Sequence, residues 1–286
     1  MFRGHAGTLD VSETRLARRL PYPRSFSQSV GRKVFFFLLT TQGLAAFALI
    51  TLGVIAKKFR AAQEVVWPLT RHEITRAGVR LLPMFAFVAV ALGLLVIGQT
   101  APWLLRAGQL DFLGSIMVIV VVRELGPLLT AFLVLARVGT ANVVELGTAR
   151  ALGEVESLEA LGIDPVHYLV VPRVVGLSLG VFSLTVYLIL GTLVSGYVWA
   201  FLQNVPILPG DYFKQLAASL SYMDFVLLAL KTCGFGFIIA TVTCYHGLAQ
   251  PLRLEEVSRA TVRAVAQSVV ACVLLDALFI IIYLAA

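Results

Sequence analysis

Apolar and polar residues in this chain are sorted into long blocks rather than mixed at short range. Six predominantly apolar runs cover residues 34–56, 81–105, 112–136, 168–202, 225–245 and 265–286. A hydrocarbon core of about 30 Å needs roughly 20 residues of helix, and each run is long enough to supply them. Polar segments separate the runs. The longest, 137–165, is rich in acids (Glu145, Glu154, Glu156, Glu159 and Asp164). Within it, Gly162 stands where a helix C-cap is expected, Asp164 is a good N-cap, and Pro165 suits a first helical position. The spacing therefore predicts a helix to about Leu161, a tight turn, and a new helix returning to the membrane. Leu152, Val155, Leu158 and Leu161 recur at three-residue steps, which predicts an amphipathic helix whose acidic face points to the cytoplasm or to a partner.

Basic residues decide how many runs cross. Arg32 and Lys33 precede the first run, and Lys57, Lys58, Arg60, Arg71, Arg76 and Arg80 follow it. If that run crossed, one basic cluster would lie outside, against the positive-inside bias. Read as an interfacial or re-entrant helix, with Gly43 and Gly53 allowing a bend, it leaves five spans with consistent loops. Loops 99–111 and 203–224, outside, then hold only Arg106 and Lys214. Loops 137–173 and 246–263, inside, hold Arg137, Arg150, Arg173, Arg253, Arg259 and Arg263. Six true spans are the competing topology.

Composition agrees with a polytopic all-α membrane protein: 59% of residues are hydrophobic and 14% charged, against about 25% charged in soluble domains. The net charge of +7 is carried by arginines flanking apolar runs, which suits topology and anionic-lipid contact rather than nucleic acid. Cys233, Cys244 and Cys272 all lie in apolar runs without a C-x-x-C spacing, so neither a disulfide framework nor a metal site is expected. Residues 1–30 form a polar, Arg-rich tail without the arrangement of a cleaved secretory signal. No P-loop motif occurs, so ATP-powered transport would need an ATPase on another chain, which would bind the ATP and Mg. His5, His72, His167 and His246 sit in tails or at membrane edges, and no catalytic residue is assigned.

Ionisable residues inside apolar runs are costly and mark functional candidates. Four stand out: Arg123 and Glu124 in the second span, Lys231 in the fourth and Asp276 in the fifth, with charges summing to zero. A neutral ion-pair network that fixes helix packing and a polar patch facing a lipid cavity are both open for this set. A second candidate is the cytoplasmic segment 137–165, with Arg137, Glu145, Gly147, Arg150, Glu154, Glu156 and Glu159. A third is the inner loop, where Arg259 and Arg263, four apart, share a helix face suited to lipid phosphate or a partner.

These residues carry a resemblance. The stretch R-E-L-G-P-L-L-T-A at 123–131, A-R-V-G-T-A and E-L-G-T within 136–148, and L-E-A-L-G-I-D-P with Y-L-V-V-P-R within 158–173 closely resemble the MlaE/YrbE permeases. K-T-C-G-F-G-F-I-I-A at 231–240 and S-R-A-T-V-R-A-V at 258–265 extend it, and Asp276 stands at the place of that family's last-helix aspartate. The resemblance implies an interfacial helix plus five spans, a homodimer with a lipid cavity between subunits, and a coupling segment seated on a cytoplasmic ABC ATPase. It also implies a periplasmic Mce-domain partner, a STAS-domain subunit in some systems, a phospholipid substrate and residence in a bacterial inner membrane. Two motifs depart from the pattern: T-E-Q reads Gly153-Glu154-Val155, and the loop before S-R-A-T, often Gly-rich, reads Gln250-Pro251-Leu252-Arg253-Leu254-Glu255-Glu256.

The function expected is that of a permease without catalytic activity of its own, moving phospholipid between inner and outer membranes with a partner ATPase. Two rivals belong to other classes. An ion-coupled secondary transporter would use the buried charges as a relay and act without ATP. A membrane anchor would only hold a periplasmic lipid-binding protein in place.

Overall fold

The computed structural model describes residues 42–55, 63–203, 205–206, 208–248 and 253–285. The tail 1–30 and the first residues of the run 34–56 lie outside these. Everything described is helix or short connection, with no strand among the described residues. Among the described residues, five helices are long and apolar enough to cross a membrane: Trp67–Ala107, Leu110–Ala151, Val166–Leu202, Tyr222–Leu248 and Leu254–Leu284. The described part of the first run, α1 (Gln42–Ile55), is shorter than a span.

Helix α2 (Gln63–Ala77) carries a buried edge, Thr70, Glu73 and Ala77, at helical spacing. It lies along α6 (Val166–Leu202), where two glycines one turn apart make room for it. A Cβ on Gly176 would sit 2.6 Å from Glu73 Cβ, and one on Gly180 3.0 Å from Ala77 Cβ. After the 3-10 turn Val79–Leu81, α3 (Leu82–Ala107) packs on the far half of α6 by the same device. A Cβ on Gly93 would meet the Thr192 carbonyl oxygen at 2.7 Å, and the Ser195 hydroxyl donates to the Ala89 carbonyl at 3.1 Å. Small residues allow this approach because helices in lipid gain from close packing rather than from a hydrophobic drive. α3 ends at Gly108, whose φ of +66° is the left-handed cap position, and the Gln109 N–H returns to the Leu104 carbonyl at 3.0 Å.

The predicted second span, 112–136, is part of something longer. Helix α4 (Leu110–Ala151) runs without a break past Arg137 and includes the first half of the polar segment. It widens to π geometry at Val118–Leu125 and Leu135–Gly139. Gly153, at φ +78°, and Gly162, at φ +76°, bracket the short α5 (Glu154–Ala160). The predicted apolar stripe is thereby corrected. Leu152 precedes the break and Leu161 follows the helix; both are exposed, and only Val155 is buried. The Asp164 carboxylate accepts the Val166 N–H at 3.0 Å and starts α6.

At the opposite end of the bundle, α7 (Pro209–Ser219) packs its Tyr212 and Leu216 against the start of α4. Helices α8 (Tyr222–Leu248) and α9 (Leu254–Ala285) complete the bundle, each starting several residues before the run that predicted it. α9 is the least covered span, with Val270, Val273, Leu274, Leu278 and Ile281 exposed along it. Trp103, Phe112, Phe201, Phe213 and Tyr222 are exposed at the end away from α5, where a girdle of aromatics suits a membrane–water boundary.

Candidate functional site

The four predicted intramembrane charges come together, and the geometry adds two residues. α8 presents Asp224 and Lys231, seven apart and therefore on one face two turns from each other, about 10 Å along the axis. α9 runs the other way and presents Asp276 and Tyr283 at the same spacing. α4 supplies Arg123 and Glu124 as neighbours. The result is a ladder with two rungs, strung across three helices.

In the outer rung, nearer the start of α8, Arg123 Nε lies 3.0 Å from Asp224 Oδ1, and Nη2 donates to Oδ2 at 3.3 Å. The guanidinium stands over the Tyr283 ring, 5.1 Å from its centroid, a geometry that draws the cation to the negative face of the ring. Asp224 Oδ2 also accepts the Ser221 N–H at 2.9 Å. In the inner rung, Lys231, 0% exposed, places Nζ 2.7 Å from Asp276 Oδ1 and 3.3 Å from Glu124 Oε2. Nζ also donates to the Arg123 carbonyl at 2.8 Å. In an α-helix that carbonyl would bond the N–H of residue 127, but Pro127 has none. Lysine and the local π geometry thus meet a carbonyl that the proline released.

Asp224 corrects the charge balance read from sequence. It lies at the end of a predicted loop, yet it is buried inside α8, so the ladder holds three carboxylates and two cations. Its seven-residue spacing from Lys231, and the proline four residues after Arg123, are signals present in the sequence. Tyr283, seven after Asp276, is another.

A second ionic cluster joins α2, α4 and α6 at the end of the bundle near α5. Arg76 forms a two-pronged pair with Glu145, with Nη1 at 2.7 Å from Oε2. Arg173 reaches Glu145 at 3.4 Å and Glu73 at 3.8 Å, and Arg76 reaches Glu73 at 3.8 Å. Glu73, Arg76 and Arg173 carry no mark of this role in the sequence, because their partners are distant along the chain.

The predicted coupling segment therefore divides. Glu145 belongs to this cluster. Arg150 Nε lies 3.1 Å from Glu156 Oε1 and pins α5 to the end of α4. Gly147 is buried against α8, where a Cβ on Gly247 would lie 3.5 Å from the Gly147 nitrogen. Glu154, Glu159 and Arg137 are exposed, as are Arg259 and Arg263 on α9, whose buried neighbours Ala260 and Ala264 pack on Val143. No group of three or more His, Cys, Asp or Glu among the described residues is placed to hold a metal ion.

A model of the family described as Permease MlaE matches residues 70–282. A probable ABC transporter permease protein of Rickettsia felis is 26% identical over 247 residues, covering 85% of this chain and 92% of that protein. A probable ABC transporter permease protein of Synechocystis sp. is 30% identical over 207 residues, covering 71% of this chain and 76% of the relative. Protein TRIGALACTOSYLDIACYLGLYCEROL 1, chloroplastic, of Arabidopsis thaliana is 26% identical over 218 residues, covering 74% of this chain and 61% of that protein. The matched region holds both ionic clusters, α5 and all but the outermost residues of the five membrane-crossing helices, and by it this multi-pass membrane protein belongs to the MlaE permease family of ABC transporters.

Proposed function

We propose that this chain is the permease subunit of an ATP-driven phospholipid transporter of a bacterial inner membrane, trafficking lipid between the inner and outer membranes. It works as a homodimer with a separate cytoplasmic ABC ATPase, which binds the ATP and Mg, and with a periplasmic Mce-domain protein; a STAS-domain subunit can join the ATPase side. Arginines Arg71, Arg80, Arg137, Arg173, Arg259 and Arg263 gather toward the α5 end, which by charge bias is the cytoplasmic end. The uncovered apolar face of α9 suits a second copy or acyl chains. The Arabidopsis relative carries a diacylglycerol lipid in its name, which supports a lipid as the transported class.

The observation that carries this reading is the continuity of α4. One helical segment extends from the cytoplasmic α5 connection to Glu124, about 40 Å at 1.5 Å per residue. Closure of an ATPase under α5 displaces the end of α4, because the Arg150–Glu156 pair holds α5 to it. The continuous helix carries that displacement toward the ladder. The two π stretches are the places where it yields. Leu-, Val- and Phe-rich spans accept acyl chains, while Arg123 and Glu124 offer polarity to a headgroup. The chain itself contributes binding and movement, not a chemical step.

The test is a detergent pull-down of the tagged protein from its native membrane, with mass spectrometry of proteins and lipids, followed by reconstitution. Co-purification of a P-loop ATPase, an Mce-domain protein and phospholipid, and lipid movement that requires ATP, is the expected result. A chain that comes down alone, and that moves substrate in response to an ion gradient without ATP, overturns the reading in favour of a secondary transporter.

A further inference from the structure

We infer that the inner rung of the ladder is a proton-binding site, in which Glu124 and Asp276 share one proton around Lys231. Arg123 and Asp224 satisfy each other with two contacts, at 3.0 and 3.3 Å, and the Tyr283 ring covers the guanidinium. That pair is complete and leaves no positive charge over for the inner rung. What remains is a single cation, Lys231 Nζ, facing one carboxylate from α4 and one from α9.

One ammonium between two carboxylates leaves a net negative charge in a region shielded from water. Such a charge is expensive, and a carboxyl group escapes the expense by taking up a proton. Both carboxylates face the same ammonium, at 3.3 and 2.7 Å, so one proton serves the pair. Asp276 has the shorter contact, 2.7 Å, with a side chain 11% exposed, and keeps the ionic partnership with lysine. Glu124 has the longer contact, 3.3 Å, with a side chain 33% exposed, and carries the proton for most of the time. Lys231 cannot turn elsewhere, because the Arg123 carbonyl freed by Pro127 holds its third donor at 2.8 Å.

The site accepts one proton at neutral pH and releases it when Lys231 is left with a single carboxylate. This holds whether or not an ATPase drives the chain, so its test stands apart from the test of transport. The full-length protein in lipid nanodiscs is examined by infrared spectroscopy for the C=O stretch of a protonated carboxylic acid, with deuterium exchange to confirm assignment. At pH 7 the unmodified protein shows one such band, which is lost on raising the pH. Glu124→Gln removes the proton carrier, and Asp276→Asn gives Lys231 to Glu124 alone; each near-isosteric change abolishes the band. Absence of the band in the unmodified protein at pH 7, read without any variant, overturns the inference. So does a band that survives either substitution, since one lysine facing one carboxylate then still leaves a proton in place.

Discussion

The two ionic clusters use the same chemistry, arginine or lysine against carboxylate across three helices, in opposite settings. The ladder of Arg123, Asp224, Glu124, Lys231 and Asp276 is mostly buried and unequal in charge. The cluster of Glu73, Arg76, Glu145 and Arg173 is balanced, two against two, and opens to its surroundings through Glu145, whose side chain is 46% exposed. Removing one partner from a buried set strands a charge with no water to receive it, whereas an exposed partner is rehydrated. Equal numbers of ion pairs in the two clusters therefore do not mean equal energies. The contrast also separates roles: the inner cluster can change charge state, while the outer one clasps α2, α4 and α6.

The largest effect expected from this contrast is that of Lys231→Met, which leaves Asp276 without its cation at a cost of about 3–5 kcal/mol. Thermal unfolding in detergent measures it, and Lys231→Met combined with Asp276→Asn recovers most of the loss. Failure of that rescue would show that the two residues are not an energetic unit. Arg123→Gln comes next, at about 1–3 kcal/mol, because Asp224 keeps its Ser221 N–H but loses two charge-assisted contacts. Glu145→Gln is smaller, about 1 kcal/mol or less, and the difference from the unmodified protein shrinks with added salt, as screening requires of a partly exposed pair. Salt leaves the Lys231→Met difference nearly unchanged, and a salt-sensitive Lys231 would erase the distinction between the clusters. The smallest change in stability, within about 0.5 kcal/mol, belongs to Glu154→Lys with Glu159→Lys on the exposed side of α5. In that variant the chain still folds, yet pull-down of the ATPase and ATP-driven lipid transfer in liposomes both fall.

How far these sites were legible follows from their spacing along the chain. Arg123, Glu124, Lys231 and Asp276 stand out because each interrupts an apolar run, and burial of a charge demands a partner. Asp224 was hidden by its place two residues into a helix whose apolar run begins at Phe225, although its heptad spacing from Lys231 was readable. Glu145 and Glu156 looked alike as acids of one polar segment, because such acids are indistinguishable until their arginines are located. Arg76 and Arg173, the partners of Glu145, lie 69 and 28 residues away. The three-residue leucine spacing failed for a local reason: Gly153 takes a positive φ and ends the helical register before Val155.

The sequence by itself determined the class, the five crossing helices, the short N-terminal helix and the family, because hydrocarbon thickness and charge bias act on linear stretches of chain. The turn at Gly162 and Asp164 belongs with these, since caps are local. Only the tertiary structure decided the pairing of Arg123 with Asp224, the sharing of Lys231, and the clasp of α2 to α4 and α6. Those depend on which faces of separate helices meet. Glycines at 93, 176 and 180 set that meeting through packing across helices, and Pro127 directed it by freeing a carbonyl for a lysine more than a hundred residues away.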